Sequence, residues 1–367
     1  AALNFLTVNN QVGDPGDNRV ATSSTPIGSY PFSNGVGRNS SSINMVAFSL
    51  SHRHGDFNGE LQIFDSQGKN DLTNDANWGT FKSAFKTSGF KWNVEFSPWT
   101  NGHALVALDQ ESITGTLSGP HVGSAVGTPF SFGMAGTAEV PTFTLSSGYV
   151  GVNHTFQVSK NWAIQPSAGV RSYTSNHYAS KTSPHIGMIL KSDEMEIYFN
   201  ASNGVLYPGA ETYSLTRALP MAFTASNGWD RLLPTESRHS EVGARWDVGA
   251  SRIDMSVFSD EVSNRYVWSG FNSGAFAPPA SGTWSNNYPT YRIQGAELSV
   301  RHEINSQWTV FGGVTMLEPS ISNLPYAPKT AVSAGVAGAI GNFRVSVDAQ
   351  TQEGMYTLTQ DRGEFQP

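Results

Sequence analysis

Cysteine is absent from this 367-residue chain. Its absence excludes disulfide scaffolds, thiolate metal sites and cysteine nucleophiles. The sequence also lacks any run of about 20 apolar residues, which excludes a membrane-spanning helix. The net charge is -7 and lysine and arginine form no cluster, which argues against a nucleic-acid partner. No N-terminal segment has the basic-then-apolar layout of a signal peptide, so we expect either a mature chain or a fragment.

Charge and bulk hydrophobicity are both scarce. Charged residues make up 14% of the chain and hydrophobic residues 38%, whereas an ordinary globular protein has about 25% charged residues. Glycine (37 residues) and aromatic residues (11%) are plentiful instead. A membrane β-barrel has this composition, because each strand places half of its residues against lipid and half against a wet lumen.

Apolar and polar residues alternate along most of the chain. Phe90, Trp92 and Val94 fall on one face of an extended segment, and Lys91 and Asn93 fall on the other. Successive side chains of a strand point to opposite faces, so each such segment has one apolar and one polar face. The same alternation recurs at 162–171, 194–201, 252–257, 296–301 and 343–348.

The connections between these segments alternate between short and long. We predict short turns near 159–161, 192–193, 248–250, 304–306 and 340–341. We predict long loops at about 115–142, 175–182, 203–237, 270–289 and 318–328. Outer-membrane barrels have short periplasmic turns on one rim and long extracellular loops on the other. The prediction is therefore an all-β, transmembrane antiparallel β-barrel.

About 14 strands fit between Ile43 and Glu353 at the usual ~10 residues per strand. We expect residues 43–367 to form the transmembrane barrel. Residues 1–42 are less regular, and we expect an irregular N-terminal segment or a poorly defined strand there.

Five segments of the second half carry a family resemblance, which rests on their order. They lie at 162–176, 183–209, 232–268, 291–319 and 324–336. The first, WAIQPSAGVRSYTSN, is similar to a strand that reads aGlRy in the TonB-dependent outer-membrane receptors, and the others resemble successive hairpins of the same family. The chain is thus similar to this family over about residues 150–353.

The resemblance implies a location in the outer membrane of a Gram-negative bacterium. It also implies a receptor that binds and imports a scarce, bulky solute such as a siderophore, a cofactor or an oligosaccharide. A TonB-type energising complex would be a partner if a plug domain is present, yet neither the TonB-contacting box nor the glycine-rich plug core is found. Family barrels have 22 strands. Either the chain is an incomplete part of such a barrel, or it is a smaller, plugless relative that closes differently.

No catalytic motif is present, so we expect no catalytic residues, no metal site, no cofactor and no enzyme activity. Solute capture is better sought on the inner wall and in the long loops. An inward arginine suits an anionic ligand, and tyrosine and tryptophan offer flat contact surfaces. We expect the loop at 203–237 to cap the mouth, because a loop of that length is usually functional. The candidate ligand-binding residues are Arg171, Tyr173, Tyr198, Tyr207, Trp229, Tyr266 and Trp268.

Three alternatives stay open at this point. A passive, porin-like channel would conduct ions and lack a plug. A structural barrel subunit of a larger envelope complex would have envelope protein partners and would bind no solute. A soluble lectin or glycan hydrolase built from several sheets would need no detergent. For the barrel itself we expect outer-membrane lipid and a small solute as partners, and no nucleic acid.

Overall fold

The computed structural model describes residues 2–13, 38–73, 80–120, 122–125, 135–218, 228–268, 283–286, 288–322, 324, 326–356 and 365–366. Most of these residues lie in antiparallel strands. Within the described ranges, no helix combines the length and apolarity needed to cross a membrane.

Twenty strands and two helical segments occur in these ranges. The helical segments are α1 (Ala210–Ala218) and a 3-10 helix (Gly228–Arg231). The strands are β1 (Ala2–Gly13), β2 (Arg38–His54), β3 (Phe57–Thr73), β4 (Thr80–Trp99), β5 (Gly102–Pro120), β6 (Ala135–His154), β7 (Phe156–Gln157), β8 (Ala163–Ser175), β9 (Lys181–Lys191), β10 (Met195–Leu206), β11 (Thr235–Val248), β12 (Ser251–Ser263), β13 (Val267–Trp268), β14 (Trp284–Ser285), β15 (Tyr291–Asn305), β16 (Trp308–Pro319), β17 (Thr330–Ile340), β18 (Phe343–Glu353), β19 (Met355–Tyr356) and β20 (Phe365–Gln366).

The long strands form one meandering sheet. Each strand pairs with its neighbour in the chain, in the order β1 to β6, β8 to β12 and β15 to β18, and β7 pairs with β8. The predicted 14 strands correspond to β2–β6, β8–β12 and β15–β18. In the described part of the chain no pairing joins β1 to β18, so these two strands form the edges of an open sheet.

The alternation of short and long connections is confirmed. Gly249 and Ala250 link β11 to β12, and Gly341 and Asn342 link β17 to β18. Both glycines have a positive φ, 58° and 60°, which a residue without Cβ adopts at no steric cost. All short turns lie at one end of the strands, here called the short-turn rim. The opposite end is the long-loop rim.

One predicted loop is much shorter than expected. Residues 115–120 and 135–142 belong to β5 and β6 and pair with each other, so that only residues 121–134 separate the strands. The prediction was wrong because these ends are rich in glycine, serine and threonine and lack the alternating pattern. They are strands because α1 covers one face of them.

The strands differ in length around the sheet. β4, β5 and β6 have 20, 19 and 20 residues, whereas β16, β17 and β18 have 12, 11 and 11. Because the short-turn ends are aligned by tight turns, the extra residues of β4–β6 extend the wall at the long-loop rim.

The two faces of the sheet have the predicted chemistry. Apolar side chains of β12 and β18 are well exposed on one face, with Val257 59% and Val347 62% exposed. The opposite face carries ion pairs such as Arg245 Nε to Asp254 Oδ1, 2.6 Å apart. We call the charged face the inner face and the apolar face the lipid face.

The N-terminal residues also contribute to the sheet. β1 pairs with β2 from Ala2 opposite Ser49 to Gly13 opposite Arg38. The predicted boundary between residues 42 and 43 therefore falls inside β2. The division of the chain into an N-terminal segment and a barrel stays a prediction.

Candidate functional site

The inner face of β4–β6 changes character along its length. Near the short-turn rim it carries charged residues such as Lys91 of β4. Toward the long-loop rim the same face becomes apolar, with Phe85 of β4, Leu117 of β5 and Val140 of β6 in one packed cluster. Leu117 and Val140 are 8% and 2% exposed. Since apolar surface of this size is unfavourable in a wet lumen, another part of the chain has to cover it.

Helix α1 provides that cover, packed on β5 and β6. It carries Glu211 in its first turn and Arg217 in its last, which suits the charge of the helix ends. Thr212 and Thr216 are fully buried. Trp284 of β14 donates from Nε1 to Thr212 O and to Thr216 Oγ1, each at 3.0 Å. The hairpin β13–β14 is thereby fixed to the helix that lies against the wall.

An aromatic cluster fills the space beside α1. The ring of Trp229 in the 3-10 helix lies 5.5 Å from Phe143, 5.4 Å from His177 and 5.2 Å from Tyr213. Tyr178 packs against Phe143 at 6.4 Å and donates its hydroxyl to Trp229 O at 3.3 Å. We call these five residues the mouth cluster. It joins the wall, the loop after β8 and the loop after β10.

The tyrosine hydroxyls around the cluster are held in their neutral form. The pKa of Tyr178 is raised to about 12, mainly by burial and to a smaller extent by the nearby Glu211 and Asp230, while a hydrogen bond with Thr212 lowers it. Burial also raises the pKa of Tyr266, assisted by the carboxylate of Glu211 that accepts its hydroxyl at 3.1 Å. Burial likewise raises the pKa of Tyr207. At neutral pH these side chains are uncharged hydrogen-bond donors on flat rings.

A cavity of about 740 Å³ lies between α1 and the wall. Phe85, Ile113 and Leu117 line it on the wall side, residues of α1 line the opposite side, and Trp284 also contributes to the lining. Small-molecule sites have volumes of about 300–1,000 Å³ and are mostly apolar with a few polar groups. The cavity therefore has the size and chemistry of a small-molecule site.

Four of the seven predicted site residues lie in or beside the mouth cluster. Trp229 belongs to it. Tyr207 lies 6.1 Å from Tyr173 and 6.4 Å from Tyr178, ring to ring. The ring of Tyr266 lies 6.2 Å from the ring of Trp284, which is hydrogen-bonded to α1.

Trp268 lies in β13, and its backbone pairs with that of Trp284 in β14. It therefore belongs to the hairpin that is fixed to α1. Its role as a ligand-binding residue, like that of the other predicted residues, stays a prediction.

Arg171 is on the inner face as predicted, but its charge is already paired. Its Nη1 lies 2.5 Å from Asp109 Oδ1 and donates to Ser147 Oγ at 2.6 Å. Its guanidinium lies 5.4 Å from the centre of the Tyr149 ring. The geometry ties together β5, β6 and β8 and leaves little net charge for an anion.

Tyr198 lies apart from the other candidates. It is three residues into β10 from the short-turn end, and its hydroxyl donates to Glu241 Oε1 at 2.9 Å. It lines a separate wall cavity of about 480 Å³ together with Arg245 and Asp254. Tyr198 itself lies near the short-turn rim, whereas the mouth cluster lies near the long-loop rim.

Several residues of the site escaped the sequence analysis. Phe143, Tyr178 and Trp284 carry much of the packing, and Glu111 and Glu211 bring carboxylates to the cavity. A usable signal existed for Phe143, since it follows the strand alternation two residues before Leu145. None existed for Trp284, because its partners Thr212 and Thr216 lie 72 and 68 residues away in the sequence.

Within the described residues, no group of three or more histidine, aspartate or glutamate side chains is placed to hold a metal ion. The site contains aromatic surface, neutral hydroxyl donors and two carboxylates. Such a set can hold and orient a solute.

A transmembrane antiparallel β-sheet with short turns on one rim, and a folded loop over an apolar cavity on the other, defines the wall and mouth of an outer-membrane barrel. The chain matches the family described as TonB dependent receptor-like, beta-barrel, over residues 2–365. It belongs to this family. Members of the family are outer-membrane proteins of Gram-negative bacteria.

Several of the similar proteins are siderophore receptors, and a copper transporter, OprC, is also among them. The catecholate siderophore receptor Fiu of Escherichia coli K12 is 26% identical over 148 residues, which are 37% of this chain and 18% of that receptor. The crystal structure of Fiu in its closed form matches with a TM-score of 0.62 at 14% identity, covering 96% of this chain and 62% of Fiu. A ferric enterobactin receptor (PfeA) mutant of Pseudomonas aeruginosa has a TM-score of 0.68 at 11% identity, covering 97% of this chain and 55% of PfeA. The chain thus spans less than two thirds of these relatives.

Proposed function

We propose that this chain forms the wall and mouth of an outer-membrane receptor that captures a scarce, bulky solute and passes it inward. The observation that carries the proposal is the cavity of about 740 Å³ under α1, with the mouth cluster beside it. A passive pore needs an open, polar lumen, whereas part of this wall is covered by a folded loop, with a mostly apolar cavity between the loop and the wall. The siderophore receptors named above, which share the fold, support a siderophore-like solute.

The candidate contact residues follow from the geometry. Tyr173, Tyr207, Trp229 and Tyr266 present rings at the mouth, and Trp268 belongs to the hairpin that closes it. Aromatic rings give large contact areas to flat parts of a ligand. The paired Arg171 and the distant Tyr198 serve the wall instead, where they hold neighbouring strands together.

Passage would use energy from a TonB-type inner-membrane complex, and no covalent bond of the solute would be made or broken. The partners in this account are the solute, the energising complex, outer-membrane lipid and any envelope protein that holds the receptor in place. A plug domain within the same receptor is needed for this coupling.

Uptake of radioactive ferric iron by iron-starved cells tests the proposal. Cells that express the intact receptor are supplied with iron bound to each of a panel of siderophores, with and without a functional TonB-type complex. We expect uptake of at least one complex that requires both the receptor and the energising complex. Conductance in planar bilayers with no energy-dependent uptake would establish a passive channel instead.

A pair of tryptophan variants links uptake to the mouth. Trp229→Ala removes a ring from the mouth cluster and is expected to reduce cell-surface binding about tenfold or more, as loss of a buried aromatic contact does. Trp246→Ala is the matched control, because Trp246 lies on the lipid face and is 45% exposed. Equal binding by both variants would remove the mouth cluster from the account.

A further inference from the structure

The charges around the cavity under α1 are all of one sign. Two acidic residues line it, Glu111 of β5 and Glu211 of α1. Among the described residues that line it, none is a lysine or an arginine. Carboxylates repel an anion and attract a cation, more strongly in a partly enclosed site than in bulk water.

Two basic residues elsewhere on the inner face pair with carboxylates. Arg171 pairs with Asp109 at 2.5 Å, and Lys181 pairs with Glu236 at 2.5 Å. Arg265 lies over the rings of two tyrosines, 5.0 Å and 5.9 Å from their centres. Arg217 of α1 and Arg231 of the 3-10 helix do not line the cavity. Among the residues that the structure describes, the lining of the cavity therefore contains carboxylates and no basic side chain.

The two carboxylates differ in the number of hydrogen bonds that they accept within the protein. Glu211 accepts hydrogen bonds from the Tyr266 hydroxyl at 3.1 Å and from Gly209 N at 3.0 Å. Glu111 is exposed to the cavity, and no hydrogen bond or ion pair engages it among the described residues. An exposed carboxylate on an apolar wall is a ready acceptor for an ammonium group or another donor.

We propose that the solute taken up under α1 carries no net negative charge: it is a neutral or cationic molecule whose donor or cationic group binds Glu111. This inference rests on the proposed function and specifies its substrate class. It separates this chain from a receptor for polyanionic complexes such as a ferric tris-catecholate, which is triply negative and would need basic residues in the mouth.

A charge series on one scaffold tests the inference. Ferric trihydroxamate complexes are prepared from one linear chelator whose terminal amine is left as ammonium, acetylated, or succinylated, which makes the complex cationic, neutral or anionic. Binding to the intact purified receptor is measured by quenching of tryptophan fluorescence. We expect the cationic complex to bind at least about tenfold more tightly than the anionic one, with the neutral complex between them.

Two variants assign the preference to the cavity. Glu111→Gln should narrow the ratio of the two affinities by about threefold or more, because one unit of charge is removed at constant shape. Glu303→Gln at the short-turn rim, where the side chain is 61% exposed, should leave the ratio unchanged. Tighter binding of the anionic complex, a ratio insensitive to Glu111→Gln, or no binding of any member would overturn the inference.

Uptake separates this inference from the proposed function. If cells import a polyanionic ferric complex through the receptor, the charge preference is wrong and the import function stands. If cells with and without the receptor take up every complex equally, the import function itself fails.

Discussion

Truncation of Phe143, whose ring lies on the inner face of the wall, should weaken the docking of the loop that covers this part of the wall. Phe143 of β6 is 7% exposed and its ring lies 4.6 Å from His177 and 5.5 Å from Trp229. Phe143→Ala leaves a cavity between the wall and the 3-10 helix. Truncation of a buried phenylalanine costs about 3–5 kcal/mol. Part of this cost falls on contacts within the wall and the remainder on the docking of the loop.

Hydrogen exchange measures the share that falls on the loop. If one third of the cost is docking energy, about 1–1.7 kcal/mol, amides of α1 and of Gly228–Arg231 should exchange about 5- to 17-fold faster in Phe143→Ala, since 1.4 kcal/mol is a factor of about ten. The strands near the short-turn rim should keep their protection, because the tight turns and ladders there are untouched.

Phe343→Ala provides the control. Phe343 lies on the lipid face near the short-turn rim and is 75% exposed, so its truncation should leave the exchange of α1 unchanged. The reasoning is refuted if Phe143→Ala folds normally and α1 exchanges at the same rate as in the parent protein. In that case α1 would be held by contacts other than the mouth cluster.

Three further outcomes follow from the same structure. Val94→Arg, on the lipid face, should lower the free energy of unfolding in bilayers by about 2–4 kcal/mol if the site lies mid-membrane. Asn93→Arg, on the inner face, should leave this free energy nearly unchanged. Equal losses in the two variants would mean that the faces are wrongly assigned. Docking of α1 should persist up to pH 10, the ordinary pKa of tyrosine, and weaken as the pH rises through about 12, the raised pKa of Tyr178. Burial favours the neutral phenol, so the free energy of docking is lost as the pH rises from the pKa of Tyr178 in the undocked state to its pKa in the docked state. Tyrosinate absorbance and hydrogen exchange of α1, measured along the titration, check this. Undocking well below pH 10 would contradict it. Trp284→Phe keeps a ring but removes the donor to Thr212 and Thr216, which should lower the docking free energy of α1 by about 1 kcal/mol in the exchange assay. An unchanged exchange rate would show that these hydrogen bonds do not hold the helix.

The strands of the barrel wall could be predicted because their alternating pattern depends only on residues that are adjacent in the sequence. A strand with lipid on one side and water on the other has to alternate, so Val94 and Asn93 were assigned to their faces from the sequence alone. The turns follow from the same rhythm, with Gly249 and Gly341 at the positions that need a positive φ. The alternation disappears at 115–120 and 135–140, where a helix and not lipid or water covers the inner face. The predicted loop boundary was wrong there.

The site could be predicted only in part, because it is assembled from distant segments. Sequence placed Arg171 on the inner face, but its partner Asp109 is 62 residues away and only the strand order brings them together. The position of Tyr198 near the short-turn rim could have been predicted, because only a few residues separate it from the turn at 192–193. The docking of α1 on Leu117 and Val140 could not, because no periodic pattern connects a loop to the wall it covers.

The unequal strands give the barrel a stepped rim. A strand of 20 residues, such as β4, is about 66 Å long at about 3.3 Å per residue and rises about 47 Å at the tilt of about 45° typical of such strands. An 11-residue strand, such as β18, rises about 26 Å by the same reckoning, close to the apolar band of about 25 Å. The tall side therefore stands clear of the bilayer and carries α1 with it. Antibodies, proteases and membrane-impermeant labels added to living cells should reach the helix and its cavity directly, without breaching the envelope.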